Sequence, residues 1–234
     1  MILTNVRLAR LAAVGIAMLV ALPARADFIL AVDEGADDVD VITITDNSAD
    51  DALDGTDGAI AFLSADSADP WSLLVTSGSS YPMLGNNTSN PQLDLGVADA
   101  ISTGAGSIRI SLTQTDFQGP LGSLNFVFGV GGTAQGGLET CYYLDPGNAA
   151  FGTGIELGCF TDTRFAFMSQ ASEIVDIDAP YSMTIVTTIT HTRQGNTTLN
   201  AAIKLSEPST LVLLGLSLAG LGFSARLRRA RDID

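Results

Sequence analysis

The chain has 234 residues, with 11 basic side chains against 26 acidic ones and a formal charge of −15. Most of the cations sit near its two ends, so residues 27–205 keep only Arg109, Arg164, Arg193 and Lys204 against 23 acids, a formal charge of −19. A stretch of 179 residues is enough for one domain with a real core, and its lack of a basic footprint excludes nucleic acid as a partner.

Residues 1–26 read as a secretory signal peptide. Arg7 and Arg10 form the basic start, Leu11 to Leu22 an apolar run, and Ala24-Arg25-Ala26 an A-x-A site that sets cleavage between Ala26 and Asp27. The apolar run is too short to span a bilayer as an uncleaved anchor.

From Asp27 onward the pattern has the period of strands. Asp40–Thr45, Ser107–Thr113 and Ser182–Thr190 alternate and are rich in β-branched residues, as half-buried strands require. Further strands are expected at Phe28–Val32, Ala59–Leu63, Leu73–Thr76, Gln92–Val97, Leu124–Val130, Leu138–Leu144, Gly158–Phe167 and Leu199–Leu205. Turn chemistries such as Asp145-Pro146-Gly147-Asn148 separate them, and the acidic, small-residue-rich loop Asp46–Gly58 is expected to be mobile. No sustained helical stripe interrupts this region. The expected fold is therefore an all-β antiparallel sandwich of jelly-roll type over residues 27–205.

Leads on chemistry are sparse. Cys141 and Cys159 are the only cysteines, 18 positions apart, and an exported chain is expected to join them in a disulfide. Asp33, Asp37, Asp38 and Asp40 crowd one stretch, and Asp50, Asp54 and Asp57 another; such runs are usually solvated, yet they are the candidates for a calcium ion, the one cofactor considered. His191 is the only histidine, no Gly-x-Ser-x-Gly elbow accompanies it, and an exposed strand-end residue is the expected reading. No catalytic residue is assigned. Exposed aromatic rings are what sugar-binding sandwiches use as platforms, and Trp71, Tyr142 and Tyr143 are the candidates. Trp71 fits a core position equally well, and of the adjacent tyrosines at most one points inward.

The last 29 residues form a three-part constellation. Ser206-Glu207-Pro208-Ser209-Thr210 leads into a 17-residue uncharged segment, 209–225, and then into Arg226, Arg228, Arg229 and Arg231. As a helix the segment spans ~25 Å, at the short end for crossing a bilayer, and the arginines read as a cytoplasmic stop. A buried helix of the soluble domain would sit badly beside those arginines. The order of motif, leucine-rich helix and basic cluster resembles the PEP-CTERM sorting signal of Gram-negative exported proteins, with Ser206 standing where that motif has its first proline. The resemblance implies recognition by a membrane-embedded exosortase, a cut near Glu207-Pro208, and delivery to the cell surface or the exopolysaccharide matrix. Leu112–Pro120, Tyr142-Tyr143 with Asp145 and Asn148, and Ala179–Ser182 are similar to β-rich domains found before such tails, which lack an established activity.

The expectation is thus an exported structural protein of the surface, biofilm or exopolysaccharide, held by the membrane until its tail (206–234) is processed. A carbohydrate-binding module is the alternative and a secreted hydrolase the reserve.

Overall fold

The computed structural model describes residues 26–64, 71–178 and 180–206. The leader up to Arg25 and the sorting motif, helix and arginines from Glu207 onward lie outside the described residues. Among the described residues there is no helix long and apolar enough to cross a membrane.

The described chain is all β. In order the strands are β1 (Phe28–Glu34), β2 (Ile42–Thr45), β3 (Ala59–Ser64), β4 (Trp71–Ser79), β5 (Gln92–Ser102), β6 (Gly106–Phe117), β7 (Gly122–Ala134), β8 (Gly137–Asp145), β9 (Ile155–Asp162), β10 (Ala166–Ile177), β11 (Tyr181–His191) and β12 (Gly195–Leu205). They form two six-stranded antiparallel sheets, ordered β2-β1-β6-β11-β8-β9 and β10-β7-β12-β5-β4-β3, called sheet A and sheet B below. From β5 onward the chain crosses between sheets at almost every connection, and the orders β6-β11-β8-β9 and β10-β7-β12-β5 are those of an eight-stranded jelly roll. β1 and β2 extend one sheet beyond β6, and β3 and β4 extend the other beyond β5.

Alternation decides which face is buried. Leu30, Val32, Ile108, Ile110, Leu112 and Ile185 of sheet A meet Leu93, Leu95, Phe126, Phe128, Ala201 and Ile203 of sheet B in one core. Aromatic rings run through it: Tyr81, Phe117, Tyr181 and Phe126 follow one another at centroid distances of 5.3, 5.6 and 6.1 Å. The two layers approach closely at Gly78, where a Cβ would meet Leu112 Cδ1 at 2.5 Å.

Each expected strand has its counterpart, with one misplacement. The span Gly158–Phe167 is not one strand: it covers most of β9, the turn after Asp162 and the first residues of β10. The loop 46–58, expected to be mobile, is tied down by inward-facing carboxylates. Asp46 accepts from Gly58 N at 2.9 Å, and Asp51 accepts from Leu53 N, Ala61 N and Asn47 N at 2.9, 3.0 and 3.2 Å. Asn47 Nδ2 adds a bond to Asp57 at 2.8 Å.

Candidate functional site

The outer face of sheet A can be laid out from its register. One row of opposed residues is Thr43, Ala31, Ser111, Val186, Cys141 and Cys159, from β2 across to β9. A second row, toward one end of the strands, is Asp33, Arg109, Thr188 and Glu139. A third, toward the other end, is Thr113, Thr184, Tyr143 and Glu156. The first row is made of small or flat side chains, so it forms a floor. The other two rows carry the larger groups and rise as walls.

Two loops complete the walls. The loop after β1 holds Gly35, Ala36, Asp38 and Asp40 at positive φ, and of these only glycine adopts such a backbone freely. That conformation brings Asp38 back over the sheet: its N–H donates to Asp33 Oδ2 at 3.0 Å, and its carboxylate joins that of Asp33 in pairing with Arg109. The loop between β8 and β9 is fastened on the opposite side. Asp145 accepts from Gly147 N and Ala149 N at 3.0 Å each, Asn148 and Asp116 exchange bonds of 2.7 and 2.8 Å, and Phe151 N donates to Thr113 Oγ1 at 3.1 Å. Phe151, itself at a φ of 56°, is thereby laid over Thr113 at the groove's rim.

Between the walls lies a groove of about 530 Å³. Its floor is Ala31, Ser111, Val186 and Thr43; Tyr143, Phe151 and Thr153 line one side; Asp33, Asp38, Val41 and Arg109 line the other. It runs across the strands. From β2 to β8 there are four inter-strand steps, ~19 Å at the usual strand spacing, a length suited to an extended polymer. Tyr143 is half-buried, and its phenol is pushed up by burial and by the neighbouring Glu156 and Glu139 carboxylates. Arg109 is held from beneath by an almost fully buried carboxylate: the Asp33 side chain is 4% exposed, and its Oδ1 has no partner of its own. A buried charge left half-satisfied is costly, which sets this pair apart from an ordinary surface ion pair.

The candidates named from sequence separate clearly. Tyr143 faces the groove. Tyr142 and Trp71 are 0% and 1% exposed and belong to the core, so neither is a sugar platform. Cys141 and Cys159 are joined, directly opposite one another with Cα atoms 4.1 Å apart, and close the end of the groove floor. Of the calcium candidates, Asp33 and Asp38 are committed to Arg109, Asp37 accepts from Val39 N at 3.1 Å, and Asp40, Asp50 and Asp54 are exposed. Among the described residues no three acidic, histidine or cysteine groups converge as metal ligands.

His191 is a correction. Expected to be exposed, it is 1% exposed, because β5 and β12 close over the end of β11. Its Nδ1 lies 2.6 Å from Ser102 Oγ, its Nε2 lies 2.9 Å from Thr197 Oγ1, and the Trp71 ring packs at 4.9 Å. Both ring nitrogens are taken up by hydroxyls of neighbouring strands, and burial holds the imidazole below its usual pKa.

The outer face of sheet B offers a contrast. Its depression of about 340 Å³ is floored by Gly129, Gly131 and Ala202 and edged by Met168, Asn200 and Lys204, with no half-exposed aromatic ring comparable to Tyr143.

The architecture and the groove define a jelly-roll sandwich with an aromatic-edged, charge-buttressed cleft across one sheet. No protein-family model matches the sequence, and no curated protein matches it. Among solved structures, it is similar to the K1 cleaved adhesin domain of Lys-gingipain from Porphyromonas gingivalis W83, at 13% identity over 64% of this chain and 91% of that one, with a TM-score of 0.34. It is also similar to TmCBM61 in complex with β-1,4-galactotriose, at 8% identity, 59% and 90% coverage and a TM-score of 0.30. A third is TmCBM27, a carbohydrate-binding module with specific mannan recognition, at 11% identity, 63% and 96% coverage and a TM-score of 0.26. These superpositions are shallow, and the fold rests on the strand order given above.

Proposed function

We propose that this chain is an exported carbohydrate-binding sandwich, delivered by its exosortase-type tail to the cell surface or matrix, where the groove across sheet A holds a polysaccharide. The groove itself carries the reading. Its long axis crosses the strands, the half-buried Tyr143 and Phe151 offer ring faces on one side, and the Arg109–Asp33–Asp38 cluster offers hydrogen-bonding groups on the other. A pyranose presents an apolar face and a hydroxyl-rich edge, and such a pairing of ring and polar group meets both. The hydroxyls of Thr43, Ser111 and Thr153 add donors and acceptors without crowding the floor.

The test is affinity electrophoresis of the full chain through gels containing polysaccharides, beside the Tyr143→Ala variant. Tyr143 faces outward from a strand, so the variant is expected to keep its circular dichroism and lose about 30-fold in affinity, the effect of truncating an aromatic anchor at ~2 kcal/mol. A folded Tyr143→Ala protein retarded as strongly as the parent would remove the groove from the reading. Cell fractionation addresses delivery: deleting 207–234 should leave the protein off the surface, and an unchanged distribution would discard the sorting role.

A further inference from the structure

The groove's charge specifies what kind of polysaccharide it takes. Four cations lie among residues 27–205, and three of them are elsewhere or spoken for. Arg164 pairs with Asp162 at the end of β9, Arg193 edges a depression at the β11–β12 turn, and Lys204 lies on the outer face of sheet B. Arg109 alone among the four lines the groove, and it pairs with both Asp33 and Asp38. Its side chain is 26% exposed while that of its partner Asp38 is 82% exposed, so the carboxylate is the more prominent of the two. Two more carboxylates flank the lining residues. Glu156 stands opposite Tyr143 in the register and Glu139 lies in the row of Arg109, both near enough to act on the Tyr143 phenol. Two carboxylates line the groove and two more flank it, against one guanidinium.

We infer that the groove selects uncharged polysaccharides and rejects uronate- or sulfate-bearing ones, with Asp38 accepting from sugar hydroxyls. This rests on the carbohydrate-binding reading above. An anionic sugar would find no uncommitted cation among the groove residues, and at low ionic strength it would meet the repulsion of the carboxylates that line and flank the groove. A neutral sugar supplies hydroxyl donors, which is what a wall of carboxylates lacks. Selection therefore comes from a repulsive element built around the site as much as from contacts within it.

The experiment compares retardation of the full chain by neutral polymers (β-glucan, galactan, mannan) and anionic ones (alginate, polygalacturonate), at ~20 mM and ~500 mM salt, where the screening length falls from roughly 20 Å to a few ångströms. At low salt a neutral polymer is expected to bind at least tenfold more tightly than either anionic one, and the gap should narrow at high salt. The pair Glu139→Gln/Glu156→Gln, checked for folding by its melting curve, should narrow the gap at low salt as well. Equal or stronger retardation by alginate or polygalacturonate at low salt would overturn the selectivity while leaving carbohydrate binding in place. A gap unmoved by salt and by the double variant would assign the preference to shape and overturn the electrostatic account. Retardation by no polymer would remove carbohydrate binding and this inference together.

Discussion

Breaking the Cys141–Cys159 bridge is expected to lower stability by ~3 kcal/mol, and the reason lies in where β9 sits. β9 is an edge strand of sheet A and, among the described residues, pairs on one side only, with β8. The two cysteines oppose each other in that ladder, with a sequence separation of 18. Next to them the pairing shifts between Tyr142 and Tyr143, so the ladder is locally weakened by a bulge. The native hairpin holds the sulfurs close whether or not they are bonded. The bond therefore acts mainly on the unfolded chain, and the loop-closure entropy of a segment this long gives the ~3 kcal/mol. For a domain of this size each kilocalorie moves the melting temperature by ~2–4 °C, so a fall of roughly 6–12 °C is expected. Urea and thermal unfolding of the Cys141→Ser/Cys159→Ser protein, and of the parent with and without reductant, measure this directly. Amide exchange should show β9 opening first. An unchanged midpoint in the double variant would refute the reasoning, as would a parent protein that yields two titratable thiols when denatured without reductant.

Three further outcomes are expected. Arg109→Met should cost ~3 kcal/mol by chemical denaturation, because it leaves the buried Asp33 carboxylate unpaired beside Asp38; a loss under ~1 kcal/mol would mean that Asp33 is satisfied in some other way. Tyr142→Phe and Tyr181→Phe should each stabilise by ~1 kcal/mol, since both hydroxyls are buried without a partner and burial pushes both phenols up; destabilisation would show a bond that the hydroxyl makes. His191 gives an acid-side dependence. Burial lowers its pKa in the folded state from 6.5, so as pH falls below 6.5 the unfolded chain binds the proton first and stability declines until the folded pKa is reached. The slope is at most ~1.4 kcal/mol per pH unit, and His191→Gln should flatten it. Asp46 and Asp94, pushed up by burial, act with the opposite sign from pH 3.8 upward, so the difference between parent and His191→Gln isolates the histidine's share.

The strands were legible because their two faces meet different surroundings, and β10 was hidden for the converse reason. It lies at the edge of sheet B, where the opposing layer covers it incompletely. Phe167, Val175 and Ile177 are buried, yet Glu173 on the same parity is exposed, while Met168 and Ile174 point outward at 86% and 67% exposure. Its outer face is wet throughout but carries the apolar Met168 and Ile174, and its inner face carries Ser169 and Glu173, so the sequence shows no alternation to read. The site was half legible. Tyr143 stood out as one of two adjacent tyrosines, and the strand period made clear that only one is inward. Asp33 and Asp38 stood out as well, but as an acidic run suggestive of calcium. Their cation, Arg109, lies 76 and 71 positions along the chain, and only the β1–β6 register brings it alongside. Phe151 reaches the rim through a backbone conformation uncommon for an aromatic residue, which local sequence does not announce. His191 misled in the same way, since its enclosure comes from partners on two other strands, Ser102 of β5 and Thr197 of β12.

The position of β12 determines how this molecule would answer a pull. The described chain leaves the sandwich at Ser206, immediately after β12, with Ser206 N bonded to Asn125 O at 2.8 Å. β12 lies inside sheet B, paired with β5 on one flank and β7 on the other over most of its 11 residues. Tension between a polymer seated on sheet A and an attachment beyond Ser206 would act along that strand. To release it, both ladders must slip at once, in shear, whereas an edge strand can be peeled away bond by bond. A joint loaded this way resists force far better than its equilibrium stability suggests, which is what the proposed hold on a fibre at one side and a surface at the other would require.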